Sequence, residues 1–329
     1  MKGTDVSPST TLNLVLALSM FAASAGLAQD FPTRPVRIIV PFSPGGPADF
    51  LPRVIGAKLS QLWNQPVVVE NRTGGAGNIG MAMGAKATPD GYTLTSAPGG
   101  NIAVNPYMYP NLSYDVFKDF TPITLMGTVQ NVLVLNPSVP AKTVPELIAL
   151  AKQQPGKLTF GSGGVGSYNH LAGELLKSMA QIDLLHVPYK GIGDAVAAML
   201  GGQISMAFVQ VSSVKPYIDS GRLRPLAIAS PQRNPVIPNV PTMNEAGNFK
   251  GFEAVSWYAL VGPAGVPRNI VRRVQADVAQ AVQTPEVHEK MVSIGADPVG
   301  GTPEQLREYM RAESDRYGPL IRKLGIKAE

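Results

Sequence analysis

The sequence predicts an α/β protein of two lobes, and three observations carry that prediction. Short apolar runs alternate with amphipathic segments along most of the chain, which is the rhythm of βα units. Two widely separated strand–loop–helix units carry glycine-rich loops. In one, Ile38-Ile39-Val40 runs into Pro41-Phe42-Ser43-Pro44-Gly45-Gly46-Pro47-Ala48-Asp49. In the other, Leu158-Thr159-Phe160 runs into Gly161-Ser162-Gly163-Gly164-Val165-Gly166-Ser167. Finally, 329 residues are enough for two domains, and the pattern leaves the first block near Val129 and returns near Trp257. Two crossing strands make a hinge. The predicted division is a signal peptide over 1–28, a first lobe over 29–129 plus 256–329, and a second lobe over 130–255.

The start of the chain reads as an export signal. Lys2 is its only cation, Leu12 to Ala23 is an apolar core, and Ala23-Ser24-Ala25-Gly26-Leu27-Ala28 offers small residues for cleavage near Ala28. The apolar run falls short of the ~20 residues that a membrane span needs. Asp5 departs from the plainly basic start of such leaders. Residues 35–40 form a near-continuous apolar strand, as in a buried parallel position. A helix over 50–62, a strand over 66–70, a glycine-rich turn over 71–80 and a helix over 81–87 follow. The strand over 92–96 ends in Ala97-Pro98-Gly99-Gly100-Asn101. Each loop lies at the C-terminal end of its strand, where open α/β sheets bind ligands.

The middle block opens at Phe120-Thr121-Pro122-Ile123 and continues with a strand over 129–135. A helix over 145–153 has proline near its start, a favoured place. Beyond the second glycine loop come a helix over 168–180, a strand over 185–191, a helix over 193–200, a strand over 204–209, a helix over 214–220 stopped by Gly221, and a strand over 226–229. Residues 231–241 hold four prolines and read as irregular. A strand over 253–262 and amphipathic helices over 267–282 and 303–320 close the chain.

Composition narrows the function. Hydrophobic residues are 44% and charged residues 16%, which suits a globular protein. Cysteine is absent, so disulfides, thiolate chemistry and a lipid-anchored start are excluded. With the leader, this places a soluble protein in the periplasm. Net charge is +5, and Lys2 and Asp5 cancel within the leader, so the mature chain keeps a mild preference for anions. Its basic residues are scattered, without aromatic interleaving, and nucleic acid is not an expected partner.

The residues bear on four kinds of chemistry. Ser162 or Ser167 with His170 has the residue types for nucleophilic catalysis, but there is no Gly-x-Ser-x-Gly elbow, and Ser167 fits an N-cap better. His170 and Glu174 share a helix face, yet no metal motif accompanies them, and no metal is expected. The second loop lacks the Gly-Lys-Ser/Thr ending of a phosphate loop. What remains is a set of backbone N–H groups facing a small anion, carboxylate as readily as phosphate. Asp49 sits in the first turn of its helix, where capping and ligand contact are both open. Tyr189 and Gln210 end strands and could reach a cleft or lie on the surface.

The sequence from Pro35-Val36-Arg37-Ile38 to Pro47-Ala48-Asp49 resembles the opening motif of the Bug proteins, the extracytoplasmic solute-binding receptors of tripartite tricarboxylate transporters. The resemblance continues through Val69-Glu70-Asn71-Arg72, Pro89-Asp90-Gly91-Tyr92-Thr93-Leu94 and Pro155-Gly156-Lys157-Leu158-Thr159-Phe160-Gly161-Ser162. It extends through His170-Leu171-Ala172-Gly173-Glu174, His186-Val187-Pro188-Tyr189-Lys190-Gly191, Gly221-Arg222-Leu223-Arg224-Pro225-Leu226-Ala227 and Pro238-Asn239-Val240-Pro241-Thr242. These motifs cover essentially the whole mature chain in order. The resemblance implies a two-lobed, type II-like periplasmic binding protein fold with a Venus-flytrap hinge. It implies capture of a small organic carboxylate, often through water, and delivery to a large and a small membrane subunit. It places first-lobe contacts at Phe42, Ser43, Gly45, Gly46 and Asp49, with Ser96 and Ala97 nearby. It places second-lobe contacts at Ser162, Gly164, Ser167, His170, Tyr189 and Gln210. Two departures bear on the site. Gly74-Gly75-Ala76-Gly77 changes the usual Gly-Ala-Gly-Gly order, and Gln210-Val211-Ser212 stands where Asp or Asn followed by Leu-Pro is usual.

The leading expectation is therefore a monomeric receptor, not an enzyme, without cofactor. The alternatives are an exported hydrolase or lyase using His170 with Ser162 or Ser167, and a ligand-sensing subunit for a membrane kinase.

Overall fold

The apolar runs fold into two mixed β-sheets with helices on their faces. The computed structural model describes residues 31–325, without the side chain of Leu324. The predicted leader over 1–28, with its cleavage point near Ala28, lies outside the described residues. Residues 31–33 belong to a separate unit and contain a cis Phe31–Pro32 bond. Both sheets lie within the other unit, which begins at Arg34.

The first sheet contains β1 (Val36–Val40), β2 (Val67–Asn71), β3 (Thr93–Pro98), β4 (Phe120–Val129), β10 (Ser256–Pro263) and β11 (Ala296–Pro298), in the order β11-β4-β10-β3-β1-β2. β1 pairs parallel with β2 and β3, whereas β10 runs antiparallel between β3 and β4. The second sheet contains β5 (Asn131–Leu135), β6 (Thr159–Ser162), β7 (Leu185–Pro188), β8 (Met206–Gln210) and β9 (Arg224–Ile228), in the order β7-β6-β8-β5-β9. β6 is parallel to β7 and β8, and β5 is antiparallel to β8 and β9.

The chain passes from the first sheet to the second between Val129 and Asn131, and returns into β10 at Ser256. The two crossings are tied together. Asn131 Nδ2 donates to Ala254 O at 2.5 Å and to Ser256 Oγ at 3.1 Å. This is the expected two-lobed α/β fold with two hinge-crossing strands.

The helices are α1 (Pro47–Trp63), α2 (Asn78–Ala85), α3 (Gly99–Ala103), α4 (Asn105–Met108), α5 (Val144–Gln153), α6 (Tyr168–Ala180), α7 (Ile192–Leu200), α8 (Val211–Asp219), α9 (Met243–Gly247), α10 (Arg268–Gln283), α11 (Pro285–Ser293) and α12 (Pro303–Leu324). α1 starts three residues before the predicted 50, with Pro47 in the first turn, where its missing N–H is harmless. The strand predicted over 129–135 is instead the end of β4 and all of β5, separated at Gln130. Helices α3, α4, α9 and α11 and strand β11 were not predicted. Among the described residues, no helix is long and apolar enough to cross a membrane.

Each sheet is packed on both faces, so its central strands carry apolar residues without alternation. β5, β8 and β10 are buried along their whole length. On the second sheet, Leu133, Phe160, Phe208 and Leu176 fill one face, while Val132, Val134, Val209 and Met199 fill the other. Gly173 of α6 lets that helix lie directly on Phe160, since a Cβ there would come within 2.1 Å of the ring. Gly173→Ala should therefore destabilise the protein by about 2 kcal/mol through overpacking. Urea unfolding would measure it, and a stability gain of the kind Ala brings to an open helix position would refute the tight packing.

Candidate functional site

Five strands end at one cleft. The loops after β1, β3, β6 and β7 and the last residue of β8 all contribute to its lining, as expected for the C-terminal edges of α/β sheets. The cavity measures about 100 Å³. Because the next element after each of these strands is a helix, five helix starts meet there. They are Gly46-Pro47-Ala48 at α1, Gly99-Gly100-Asn101 at α3, Ser167-Tyr168-Asn169 at α6, Gly191-Ile192-Gly193-Asp194 at α7, and Gln210 before α8.

The first N–H groups of a helix have no partner within it. At α1, α3, α7 and α8 no side chain caps them. By contrast, α5, α9 and α12 are capped by Thr143, Thr242 and Thr302. No Lys, Arg or His is among the lining residues, and Asp194 is the one charged side chain there. Positive potential in the cleft thus comes from backbone N–H groups and helix dipoles. Such a site suits a small anion held by several directional hydrogen bonds.

The expected site residues divide into two groups. Phe42, Ser43, Gly46, Ser167 and Gln210 line the cleft. The others stand behind it. Gly45 turns its N–H toward Asp49 Oδ2 at 3.4 Å. Asp49 is buried and receives hydrogen bonds from Arg53 Nε and, at 2.8 Å, from Asn71 Nδ2. Burial alone would push its carboxyl up, but the Arg53 and Asn71 bonds outweigh that and hold it below the usual carboxylate range. Asn71 Nδ2 also donates to Phe42 O at 2.9 Å. Asp49 and Asn71 therefore fix the shape of the first loop.

Ser96 Oγ donates to Ala48 O at 3.1 Å and so anchors the start of α1, while the Ala97 side chain is in the core. Tyr189 packs against the core of the second sheet. Gly164, at φ +116°, accepts at its carbonyl from both Ser162 Oγ and Ser167 Oγ. Ser167 caps α6 by accepting from His170 N at 3.3 Å.

His170 is not paired with a serine hydroxyl through its ring. Its Nδ1 accepts from Gly166 N at 3.3 Å, and the ring stacks on His186 at 4.0 Å between centroids. The serine partner is His186, whose Nε2 lies 2.7 Å from Ser162 Oγ. Ser162 is fully buried and does not line the cleft. Burial, then the charge of His186 and that of Lys177, push the His170 imidazole down to about 3. Burial and Lys177 push His186 down to about 4. Both rings are thus neutral structural groups beneath the second loop. Among the described residues, no three His, Cys, Asp or Glu side chains gather as metal ligands would.

Other lining residues, Asn169, Trp257 and Ala76 among them, were not anticipated, and Gln210, which was, has its own partners. Asn169 Nδ2 donates to Phe208 O at 2.8 Å and to Asn131 Oδ1 at 3.2 Å. Gln210 Nε2 reaches Ser256 Oγ at 3.1 Å and Tyr258 Oη at 3.4 Å, leaving Oε1 without a partner. Trp257 Nε1 donates to Tyr168 Oη at 2.7 Å and to the buried Glu313 Oε2 at 3.0 Å. That last group joins the start of α6 to β10 and α12. Ala76, in the reordered glycine turn, lines the cleft at φ +51°, a left-handed conformation that costs a non-glycine residue about 1 kcal/mol. Its carbonyl is held by Asn101 Nδ2 at 2.9 Å.

The cleft is closed. Tyr109 Oη, after α4, donates across it to Val165 O at 3.2 Å. A Cβ on Gly100 would lie 2.7 Å from Gly166 O, and one on Gly191 would lie 3.7 Å from Ser43 Cβ.

Comparison with known proteins agrees with this geometry. The family model described as tripartite tricarboxylate transporter family receptor (TctC) matches residues 51–326. Protein BugT of Bordetella pertussis is 37% identical over 320 residues, covering 95% of this chain and 98% of BugT. The solved structure of R. palustris Rpa4515 with adipate superposes with a TM-score of 0.87 at 36% identity, covering 91% of this chain and 99% of that one. MatC (Rpa3494) from Rhodopseudomonas palustris with bound malate gives a TM-score of 0.84 at 31% identity, covering 88% and 100%.

Proposed function

The chain belongs to the tripartite tricarboxylate transporter receptor family, and from that premise we propose that it is a periplasmic receptor that captures a small organic carboxylate and delivers it to the transporter's membrane subunits. The observation that carries the reading is the meeting of five helix starts in one cation-free cleft. A carboxylate accepts several N–H bonds there without a salt bridge, and charge-assisted bonds of this kind are worth about 1.5–3 kcal/mol each. Adipate in the R. palustris structure and malate in MatC are ligands of the expected class.

The lobes, divided at 129/130 and 255/256, close over the ligand, and the closed surface is what the membrane subunits recognise. The ligand contacts are Phe42, Ser43, Gly46, Ser167 and Gln210, joined by the helix-start N–H groups of Gly99, Gly100 and Gly191 to Gly193. Release is intact, without turnover. Ser162 and His186 form the only serine–imidazole pair among the described hydrogen bonds, and they are sealed from the cleft.

Mass spectrometry of the denatured protein would identify a co-purified acid, and calorimetry across mono-, di- and tricarboxylates would rank affinities. A correctly folded protein that binds none of them refutes the reading. Uptake of the labelled ligand by cells with and without the receptor tests delivery.

A further inference from the structure

We propose that Glu313, which does not itself line the cleft, is the positioning residue that keeps the lobes closed over a bound ligand. One of its carboxylate oxygens holds a hydroxyl of the second lobe and an indole of the first. The inference deepens the carboxylate-receptor reading above and rests on it.

Glu313 lies on α12 and is 8% exposed. Its Oε2 accepts from Tyr168 Oη at 2.7 Å and from Trp257 Nε1 at 3.0 Å, and the same indole N–H also donates to Tyr168 Oη at 2.7 Å. The three groups close a triangle. Tyr168 begins α6, which follows β6 of the second sheet, and Trp257 is in β10 of the first. Both line the cleft. Tyr309, one turn before Glu313, lies edge-on to the Trp257 ring with 5.2 Å between centroids. Trp257 in turn packs against Gly99, where a Cβ would come within 2.3 Å of the indole. One carboxylate thus sets the start of α3, on the first sheet, against the start of α6, on the second.

An independent observation points the same way, because α6 is divided between two cores. Its first turn gives Tyr168 and Leu171 to the apolar cluster around Trp257 and Tyr317, whereas Ala172, Leu176 and Ala180 lie in a core of the second sheet. Opening of the lobes draws Tyr168 and Leu171 out of the first cluster and breaks both bonds to the Tyr168 hydroxyl. A carboxylate in apolar surroundings costs stability unless it is bonded, and an apolar residue of like size would serve packing alone at less cost. What Glu313 adds is direction, since its bond to Tyr168 forms only when the start of α6 is seated on β10. The same stretch of α12 also holds the return crossing. Arg316 Nη2 donates to Glu253 Oε2 at 2.8 Å and Tyr317 Oη donates to Glu253 O at 3.3 Å, just before β10.

The rate of ligand release from the full chain tests this. The probe is the tightest binder in a panel of mono-, di- and tricarboxylates that includes adipate and malate, followed by stopped flow. Tyr168→Phe removes one hydroxyl and keeps the ring and the helix-start N–H. Glu313→Gln keeps the shape and weakens the acceptor. Each should speed release about tenfold and leave the association rate within about twofold of native, because only opening breaks these bonds. The double variant should release no faster than the faster single one, since both changes act on one contact. A group that merely supports the fold would lower stability to urea without a selective effect on release, and two such losses would add. Native release in folded Tyr168→Phe, or a double variant whose effects multiply, overturns the inference and leaves the carboxylate reading standing. Should Glu313→Gln fail to fold, Tyr168→Phe decides alone. If the folded native chain binds no member of the panel, both are overturned.

Discussion

Gly100→Ala should lower ligand affinity by about a hundredfold while leaving the fold intact. The argument is steric and local. Gly100 sits in α3, attached to the first sheet, and Gly166 sits in the loop after β6 of the second. A Cβ on Gly100 would lie 2.7 Å from Gly166 O, closer than real Cβ contacts come, and the obstacle is backbone that cannot rotate away. The lobes must then separate, and the ligand loses N–H contacts from one side. Losing one or two charge-assisted bonds is worth about 2.7 kcal/mol, which is the stated hundredfold. Alanine is also the better helix former, so stability without ligand should not fall. Calorimetry with the best carboxylate, paired with urea unfolding, separates the two effects. Undiminished affinity would mean that ligand binding does not need the approach of Gly100 to Gly166.

The sequence showed the strand–loop–helix units because their strands are buried on both faces. Ile38 to Val40 must be apolar without interruption, and such a run ending in Pro and Gly is easily read. Gln210 was legible for a similar reason, as the polar residue that closes an apolar strand. The helices α3 and α4 were not legible. Gly99-Gly100-Asn101 has poor helix propensity, and the turn forms because Gly99 packs against Trp257, far away in sequence. The same distance hid Trp257, Tyr258 and Ser256, which enter the cleft only because β10 returns between β3 and β4. For His170, spacing put it on the turn of Ser167 correctly, but spacing cannot say which way a ring points. It turns inward to His186, a residue on a neighbouring strand, and Asn169 beside it reaches the cleft. The helix start at Gly191 to Asp194 was read from the sequence, but its place in the cleft was not. A strand end followed by Gly and an amphipathic segment marks a helix start as clearly there as at Gly46.

Lowering the pH from 7 to 5 should reduce folding stability by about 3 kcal/mol, and the His170–His186 pair should account for it. Both rings have folded-state values below the ordinary histidine value of 6.5, about 3 for His170 and about 4 for His186. Above pH 6.5 each is neutral whether the chain is folded or not, so neither favours unfolding. As the pH falls below 6.5 the unfolded chain takes up protons that the buried rings refuse, and stability falls until the folded values are reached. At pH 5 a fully buried histidine of this kind contributes a loss of about 2 kcal/mol. His186 is partly exposed and is discounted to about half that by solvent screening. Glu174, 3.9 Å from His170 Nε2, would favour a proton there, but Lys177 bonds the same carboxylate at 3.0 Å and removes most of that help. Asp49 does not confuse the window. Its folded value is held below 3.8, so the stability it contributes is present at pH 5 and is lost only at more acidic values. Urea unfolding at pH 7 and pH 5 gives the difference directly. The double variant His170→Gln, His186→Asn should be less stable at pH 7 but nearly indifferent to the change. If it loses stability on acidification as the native chain does, the titrating groups lie elsewhere. Because Ser162 and Gly166 of the second loop are bonded to these two rings, acid should also loosen that loop before the first, raising its amide-hydrogen exchange while the Phe42–Asp49 loop stays protected.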